Sequence, residues 1–594
     1  MCGIAGILST QLDPSLTKAG AERMQNALAH RGPDDSGLWQ SPEGCATLAH
    51  RRLSILDLSR GARQPMSTPD GRFTLCFNGE IYNFRELRAQ LEETGIHFNT
   101  TSDTEVLLRL YEREGIDCTR RLRGMFAFAI WDAAERICIL ARDPLGIKPL
   151  YLHRTPTTLA FASELRALVQ CRLFTPTLSV PGVQRFFETG SLPEPLTLIN
   201  EAECLPAGES LLWHEGSGAR QTFWRMEFAR GQAAHASPVA TAREALQDSV
   251  RHHFVSDVPV GIFLSGGIDS TAVLALANAT GHNGVRAFSV AVDDVGADES
   301  PIARRTAAHF GADYHEMRLD AKVAQELFSQ FLTHLDQPSI DGLNTFTVSA
   351  LARQHGVKVV LSGLGGDELF GGYASFTKIP RMLRWHQVIR RLPGARTLLT
   401  HTLSGTPQHR RLAEFLRGPG TVEDAFASLR GIFSRAEAAR LTQWITGCTP
   451  AITTSSEQKI ADSVPDEISR LELSRYMRNQ LLRDSDVMSM AHGVELRVPL
   501  VDRVLFEALA AIPARIRLQP GKRLLTQAVP EVPGWVVSQK KRGFLFPYQK
   551  WLGGEWGNAF EDSAQGSPVP MVTWYQKWSL FVLRQCLANL GLTT

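Results

Sequence analysis

The stretch VGIFLSGGIDSTAVLALA, residues 260–277, decides the fold of the larger part of the chain. An apolar run is followed by a glycine-rich turn and then by small and apolar residues with helical spacing. A buried strand, a glycine-rich loop and a helix in this order are typical of a doubly wound parallel α/β sheet. The same rhythm predicts strands at 285–292 and 357–361, and helices at 270–279 and 301–310.

The loop within this stretch has the composition of a phosphate site. Gly266 and Gly267 let the backbone approach a ligand, and the following helix presents its N-terminus to the same place. Ser265 and Ser270 add hydroxyl donors, and Asp269 is a candidate magnesium ligand. The loop alone is a weak signal because many strand-to-helix turns look similar, and it lacks the GK[ST] ending of a Walker loop.

A second glycine-rich element, LSGLGGDELFGGY at 361–373, follows the apolar strand VKVVL. Asp367 and Glu368 are expected on the rim of this loop. On the residues alone they are a pair of solvated carboxylates that cap a helix; contact with magnesium and pyrophosphate is what the family resemblance described below implies. Beyond Tyr373 the sequence is rich in Leu, Arg and Ala with helical spacing, which predicts additional helices.

The first 225 residues have a different pattern of short strands with alternating apolar residues. A helix begins where Ser102 precedes Glu105 in a predicted capping box. These features predict antiparallel sheets flanked by helices. The strands are predicted at 72–77, 124–131, 136–140 and 158–162.

A chain of 594 residues is too long for a single core, so two domains are expected. The stretch 229–238, ARGQAAHASP, is small, polar and aperiodic and is the candidate linker. The predicted organisation is an N-terminal domain at 2–225, a linker at 226–240, a second domain at 241–560 and a C-terminal tail at 561–594.

Composition excludes several classes of protein. A net charge of +2 favours neither nucleic acid nor an anionic membrane. No apolar run approaches the roughly 18 residues of a membrane span, and the N-terminus lacks the pattern of a signal peptide, so a cytoplasmic protein is expected. Nine cysteines without a CxxC pair argue against a disulfide framework or a zinc cage.

Cys2 differs from the other cysteines because of its position. Removal of Met1 is expected because the residues that follow are small, and it would leave Cys2 with a free α-amine. Such an amine, with a pKa near 8, can serve as the base for the adjacent thiol in attack on an amide. The alternative is a chance cysteine at position 2.

Four further motifs accompany Cys2 in order: RGPDDSG at 31–37, HRRLSILD at 50–57, FNGEIYN at 77–83 and SDTE at 102–105. Together they resemble the class II glutamine amidotransferases, whose catalytic domain is an αββα sandwich of the N-terminal-nucleophile hydrolase type.

The resemblance implies that Cys2 attacks the glutamine side-chain amide and releases ammonia. It assigns the oxyanion to the Asn78 side chain and the Gly79 N–H, the glutamine α-carboxylate to Arg52, and the α-ammonium to Glu80 and Asp103. Singly, each residue has another interpretation. Arg52 can form a surface ion pair, Asn78-Gly79 a hairpin turn, and Asp103 the start of a helix.

The SGGIDS loop resembles that of the ATP pyrophosphatases. With LSGLGGDELFGGY, DESPIARRTA at 298–307, SMAHGVELRVPLVD at 489–502 and GKRLL at 521–525, the second half resembles the asparagine synthetases. This resemblance implies ATP and Mg²⁺ as cofactors, with Lys522 stabilising charge on an acyl-adenylate or on pyrophosphate. The implied ATP and pyrophosphate ligands are Leu264, Ser265, Gly266, Gly267, Asp269, Ser270, Ser289, Val290, Ser362 and Gly363, and the implied metal ligands are Asp269 and Asp367.

One position departs from the family. Its SGEG segment is replaced here by Ser362-Gly363-Leu364-Gly365, and leucine can neither take a proton nor bind an ammonium ion. Either another residue substitutes, or the acceptor is not aspartate but another acid, such as a sugar uronic acid, a cell-wall amino acid or an intermediate of a specialised metabolite.

The expected function is a glutamine-dependent amide ligase that adenylates an acceptor carboxylate and releases AMP and pyrophosphate. The expected partners are small molecules, namely glutamine, ATP and the acceptor acid, without nucleic acid or membrane. Family members often form homodimers, and no residue pattern here demonstrates one. The alternatives are a cyclase resembling β-lactam synthetase, against which the intact glutamine motifs argue, and a non-catalytic sensor of glutamine or ATP.

Overall fold

The protein is described by a computed structural model over residues 2–228, 237–294, 298–403, 405–450, 463–539, 546–552, 554 and 556–592. Part of the predicted linker, residues 229–236, therefore lies outside the described residues. Within these ranges no helix combines the length and apolar character that crossing a bilayer requires.

Two antiparallel sheets form the centre of the N-terminal half. One has the strand order β10-β8-β9-β1-β3-β2, and the other has the order β12-β11-β7-β6-β5-β4. The strands are β1 Cys2–Ser9, β2 Asp35–Gln40, β3 Ala46–Arg52, β4 Met66–Ser67, β5 Phe73–Ile81, β6 Gly124–Asp132, β7 Ile137–Arg142, β8 Tyr151–Arg154, β9 Thr158–Ala162, β10 Glu203–Cys204, β11 Glu209–His214 and β12 Ser217–Thr222.

Helices cover both outer faces of these sheets. They are α1 Pro14–Ala27, α2 Phe84–Glu92, α3 Asp103–Glu114, α4 Leu165–Val169 and α5 Val180–Thr189. Apolar side chains from both sheets, such as Ile4, Phe161 and Leu140, form one core between them, and α2 and α3 bury a second core against β5 and β6. This is the predicted αββα sandwich, and the prediction is confirmed.

Helix α3 starts as predicted, with one difference. The Ser102 hydroxyl accepts from the Glu105 N–H at 3.3 Å. The Glu105 carboxylate does not return this bond to Ser102; it accepts from the N–H groups of Asn99 and Thr100 instead. The helix start is therefore half of a capping box, and the glutamate orders the preceding loop.

A parallel sheet forms the centre of the C-terminal half, with the strand order β15-β14-β13-β16-β17. The strands are β13 Val260–Phe263, β14 Arg286–Val292, β15 Asp313–Leu319, β16 Val359–Leu361 and β17 Glu495–Arg497. Helix α6 Pro238–His253 precedes the first of these strands. Between β13 and β16 lie α7 Ile268–Ala279, α8 Ser300–Phe310, α9 Ala321–His334 and α10 Leu343–Gln354, and α11 Gly366–Phe370 follows β16. The doubly wound parallel sheet is confirmed.

The predicted additional helices follow strand β16, and strand β17 lies between α18 and α19. They are α12 Ser375–Arg391, α13 Ala395–Thr402, α14 Pro407–Arg417, α15 Val422–Arg430, α16 Arg435–Thr446, α17 Val464–Leu471, α18 Arg483–Met490, α19 Arg503–Ala510, α20 Ala514–Arg517, α21 Arg523–Ala528, α22 Gly534–Val537, α23 Tyr548–Leu552, α24 Gly557–Ala564 and α25 Trp574–Asn589. A π-helix, Glu472–Leu482, joins α17 to α18. Trp578 of α25 is fully buried, so the end of the chain is part of a core.

Buried charges connect the two halves. Asp486 of α18 accepts from Arg31 at 2.8 Å and from Lys148 at 3.2 Å, and all three side chains are at most 1% exposed. Arg123 forms a second connection, donating through two nitrogens to Asp502 at 3.0 Å. Because a buried charge without a partner is costly, these contacts hold the halves in one relative orientation.

Asp486→Ala is predicted to lower the midpoint of thermal unfolding. The substitution leaves Lys148 without this carboxylate and Arg31 with only part of its compensation, and breaking a buried ion pair costs about 3 to 5 kcal/mol. Asp293→Ala is the matched control, since the Asp293 pair with Arg318 is largely exposed. Equal unfolding midpoints for the two variants would contradict the prediction.

Candidate active sites

Cys2 lies buried at the start of β1, directly opposite Arg52 of β3. Its main-chain nitrogen donates to Asn78 Oδ1 at 2.9 Å. Burial raises the pKa of the thiol, against the lowering effects of the Leu53 main-chain N–H and the Arg52 guanidinium. The thiol therefore needs a nearby base in order to act as a nucleophile.

Asn78 and Gly79 lie inside strand β5, not in a hairpin turn. The Asn78 side chain is fully buried, and its Nδ2 donates to no atom of the described residues. Gly79 has φ 156°, and a Cβ there would lie 2.1 Å from the Met125 carbonyl oxygen. Only glycine fits at this position, and the adjacent amide donor of Asn78 is available for an oxyanion.

Arg52 lies beside the thiol with its position fixed by main-chain oxygens. It donates to the carbonyl of Ser59 at 2.9 Å, to that of Leu56 at 3.3 Å and to that of Asp57. Arg52 as a whole is 6% exposed, so its charge is largely shielded from water. These bonds orient Arg52 at the edge of the site and are not those of the surface ion pair considered above.

Two carboxylates complete the predicted glutamine site. Asp103 Oδ2 accepts from the Ile81 N–H at 2.9 Å, and burial raises the pKa of Asp103 to about 6. Burial and the neighbouring Glu495 raise the pKa of Glu80. Glu80 Oε1 also lies 3.4 Å from Arg497 Nη2 of the C-terminal half. The structure thus brings Glu80 to the boundary between the halves.

Arg31 is a neighbour of this site to which the sequence analysis assigned no role. It is fully buried, and its Nε donates to the Cys2 carbonyl at 3.1 Å. Its other nitrogens contact Glu164 at 2.9 Å and Asp486 at 2.8 Å. The residue lies in the RGPDDSG motif, so the motif gave the only signal for it.

The two glycine-rich loops of the C-terminal half pack directly against each other. A Cβ on Gly363 would lie 2.6 Å from the Ser270 nitrogen, and one on Gly366 would lie 2.2 Å from Asp269 Oδ1. Within the first loop, the Ser270 hydroxyl accepts from the Ser265 N–H at 3.2 Å. The contact places both loops side by side at the carboxyl ends of β13 and β16.

Lys522 reaches this site from a distant part of the sequence. Its ammonium pairs with Asp367 Oδ1 at 2.5 Å and with Asp269 Oδ2. Burial would lower the pKa of Lys522, but the two carboxylates raise it, so the side chain carries its charge. In this way the three predicted residues form one cluster.

The carboxylates of Asp269 and Asp367 also suit a magnesium ion, because Mg²⁺ in nucleotide sites takes one or two carboxylates together with phosphate oxygens. Among the described residues, no cluster of three or more His, Cys, Asp or Glu side chains forms a metal cage. The two carboxylates of Asp269 and Asp367 therefore fit a metal ion that is also bound by phosphate oxygens of a nucleotide. The magnesium site stays a prediction.

The remaining predicted nucleotide ligands lie next to the first loop. The Leu264 N–H donates to the Phe288 carbonyl at 2.9 Å, which brings Ser289 and Val290 of β14 beside it. The Val290 side chain is buried in an apolar core, so only its main chain can face a ligand. Ser362 begins the second loop, and its N–H donates to the Arg497 carbonyl at 2.9 Å.

Leu364 packs at the end of an apolar cluster that crosses between the halves. The cluster includes Leu53 beside the thiol site, Leu145, and Met477 of the π-helix. The same loop does contain a buried acid, Glu368, which accepts from the Tyr373 hydroxyl at 2.9 Å. Burial, with Asp367 nearby, raises the pKa of Glu368 to about 8.

Comparisons with known proteins match the N-terminal and C-terminal halves of the chain to two different family models. A family model described as a glutamine amidotransferase domain matches residues 1–224, and one described as asparagine synthase matches residues 241–581. Asparagine synthetase [glutamine-hydrolyzing] 1 of Bacillus subtilis strain 168 is 33% identical over 93% of this chain and 88% of its own. Asparagine synthetase B of Escherichia coli K12 is 33% identical over 66% of this chain and 68% of its own.

More distant proteins match as well. Amidase chry2 of Gibberella zeae is 28% identical over 93% of this chain and 90% of its own. Among solved structures, the glutamine phosphoribosylpyrophosphate amidotransferase of B. subtilis, complexed with ADP and GMP, covers 64% of this chain and 77% of that chain at 19% identity, with a TM-score of 0.29.

The placement of Asp103 predicts how glutamine binding depends on pH. As pH falls through about 6, the Asp103 carboxylate gains a proton and loses its attraction for an α-ammonium group. The KM for glutamine is therefore expected to rise below pH 6. Asp103→Asn is expected to raise this KM about 10- to 100-fold at pH 8, which corresponds to the loss of one hydrogen bond to a charged group, and to flatten the pH dependence of KM. Asp117→Asn, at an exposed position, is the control and is expected to keep the wild-type KM. An unchanged pH profile in Asp103→Asn would contradict the prediction.

Proposed function

The chain belongs to the asparagine synthetase family of glutamine-hydrolysing, amide-forming ligases, and from this premise we propose the reaction that it catalyses. Residues 2–225 hydrolyse glutamine to glutamate and ammonia. Residues 241–560, after the linker 226–240, use ATP to adenylate an acceptor carboxylate, which ammonia then converts to an amide with release of AMP and pyrophosphate.

In the first reaction, the Cys2 thiol gives its proton to the α-amine of the same residue and attacks the amide carbonyl of glutamine. Asn78 Nδ2 and the Gly79 N–H hold the oxyanion, Arg52 binds the α-carboxylate, and Asp103 with Glu80 binds the α-ammonium. The α-ammonium of Cys2 returns the proton to the departing nitrogen, the C–N bond breaks and ammonia leaves. The thioester that remains on Cys2 is hydrolysed by water to glutamate. The buried and unused Nδ2 donor of Asn78 beside Cys2 is the observation that supports this assignment best.

In the second reaction, an oxygen of the acceptor carboxylate attacks the α-phosphate of ATP and pyrophosphate leaves. Main-chain N–H groups of Gly266 and Gly267, with the Ser265 and Ser270 hydroxyls, bind the phosphates, and Lys522 stabilises the charge that develops on them. Asp269 and Asp367 would hold Mg²⁺, which supplies further positive charge to the phosphates. The contact between Lys522 and both carboxylates supports this assignment.

Ammonia is proposed to pass between the sites through the interior. Support comes from the apolar cluster that extends from Leu53, next to Cys2, to Leu364 on the second glycine-rich loop. An apolar route keeps ammonia unprotonated, and so nucleophilic, until it reaches the acyl-adenylate. Leu364 would then form the apolar end of the route, in the position where the family has a glutamate.

The proposed acceptor is an acid other than aspartate. This choice rests on the presence of Leu364, whose side chain can neither accept a proton nor bind the ammonium group of an amino acid. Glu368, whose carboxylate accepts from the Tyr373 hydroxyl, is the buried acid on the same loop that is proposed to take over a proton-accepting role.

Cys2→Ala is predicted to abolish glutamine-dependent amide formation, because no other group can form the thioester. Activity with a high concentration of ammonium salt is expected to persist, since the second reaction does not use the thiol. Glutamate production and amide production, measured separately, test this. Cys448→Ala, which removes an exposed thiol, is the control; retained glutamine use in Cys2→Ala would refute the assignment.

Lys522→Ala is predicted to slow pyrophosphate release roughly 100- to 1,000-fold, the usual effect of removing one group that stabilises transition-state charge. Glutamine hydrolysis, measured in the same preparation, reports that the chain is folded. Lys577→Ala, on the surface 3.9 Å from Glu561, is the matched control. Unchanged pyrophosphate release in Lys522→Ala would exclude Lys522 from the reaction.

A further inference from the structure

A large cavity lies beside the second glycine-rich loop, separate from the residues assigned above. Its volume is about 840 Å³. Its walls come from the loop 191–196 of the N-terminal half, from α15 and the π-helix, and from α23 and α25. Cavities of about 300 to 1,000 Å³ typically bind ligands of drug size, so this one is far larger than aspartate requires.

Aromatic rings form much of the wall. Tyr476, Tyr548, Trp574 and Tyr575 all line the cavity, together with Phe426. Tyr548 and Trp574 are stacked with their centroids 4.8 Å apart. Flat aromatic walls bind the faces of sugar rings, heterocycles and other ring systems, whereas a short, highly charged amino acid gains little from them.

Six arginines line the cavity, and most of their charge is already balanced by acids. Arg478 pairs with Glu194, Arg430 with Glu472, Arg185 with Glu188 and Arg470 with Glu467. These ion pairs hold the guanidinium groups in place, so the volume and the aromatic rings are the features that distinguish the cavity. The arginines are Arg185, Arg411, Arg430, Arg470, Arg475 and Arg478.

The cavity wall is in contact with the loop that carries the proposed adenylation site. Arg430 lies between two rings, with Cζ 4.2 Å from the centroid of Tyr373 and 4.0 Å from that of Tyr476. The Tyr373 hydroxyl donates to Glu368, whose neighbour Asp367 pairs with Lys522. A series of side-chain contacts through Arg430, Tyr373 and Glu368 thus links the cavity wall with the cluster around Lys522.

We propose that this cavity binds the body of the acceptor acid, and that the acceptor is an extended molecule with a ring system. The inference rests on the proposed function, since the carboxylate must reach the adenylation site while the rest of the molecule occupies the cavity. The rings of Tyr476, Tyr548 and Trp574 bind its ring system.

The test uses the full chain with ATP, Mg²⁺, glutamine and three acids of increasing size: L-aspartate, D-glucuronic acid and UDP-glucuronic acid. The last carries a ring-borne carboxylate, a diphosphate and a second ring system. Stimulated pyrophosphate release is measured for each acid, and kcat/KM for UDP-glucuronic acid is expected to exceed that for L-aspartate at least about tenfold, the effect of a single extra hydrogen bond or ring contact.

Variants that fill the cavity locate the binding site. Ala427→Trp and Leu429→Trp add bulk at two positions of the wall and are expected to raise the KM for UDP-glucuronic acid at least about tenfold by excluding its body. Leu398→Trp adds the same indole at a position that is 70% exposed and away from the cavity. Glutamine hydrolysis in each variant reports correct folding.

The outcomes separate this inference from the proposed function. If L-aspartate is the preferred acceptor, or if both cavity variants retain the wild-type KM for UDP-glucuronic acid, the inference is overturned while the proposed function stands. If none of the three acids stimulates pyrophosphate release while glutamine is hydrolysed, the inference is overturned together with the second half of the proposed function.

Discussion

The carboxylate of Asp486 connects the chemistry of the two halves. It belongs to a helix of the C-terminal half, yet it accepts from Arg31 and Lys148 of the N-terminal half with all three side chains shielded from water. Arg31 also donates to the carbonyl of Cys2. The position of the thiol therefore depends on Asp486, a charge that lies 455 positions after Arg31 in the sequence. A low local dielectric strengthens every bond in this network.

A second constraint acts on the nucleotide site, where main chain meets main chain. Gly363 and Gly366 bring the second loop so close to Ser270 and Asp269 that no side chain fits between them. The close approach brings two carboxylates near each other, and their mutual repulsion is offset by the ammonium of Lys522. The loop geometry and the charge balance are thus parts of one arrangement.

The sequence predicts most of the fold because its strongest patterns are local. Strand β13 and helix α7 follow from the apolar run, the glycines and the small residues of 260–277, and their observed ends differ by one or two residues from the prediction. Strand β15, Asp313–Leu319, was not predicted because DYHEMRL is polar, as suits an edge strand with one side open. Strand β17 has only three residues, too few for any periodicity to show.

Site residues that lie in a sequence motif could be predicted, whereas contacts that arise only from the tertiary packing could not. Cys2, Asn78 and Lys522 lie in recognisable motifs. By contrast, the ion pair of Glu80 with Arg497 joins residues on different sheets, and the stacking of Arg430 on Tyr476 joins two different helices. No spacing along the chain encodes such contacts, because their partners meet only through the packing of whole elements.

Adjacent residues of the π-helix Glu472–Leu482 face different environments. Tyr476 faces the aromatic cavity, while its neighbour Met477 packs into the apolar cluster between Leu53 and Leu364. In the proposed function, substitutions on the cavity side can therefore change the acceptor without disturbing the proposed path of ammonia. An insertion or deletion of one residue would rotate both faces of the helix away from the cavity and the cluster. Evolution can therefore change the residue types of this helix more readily than its length.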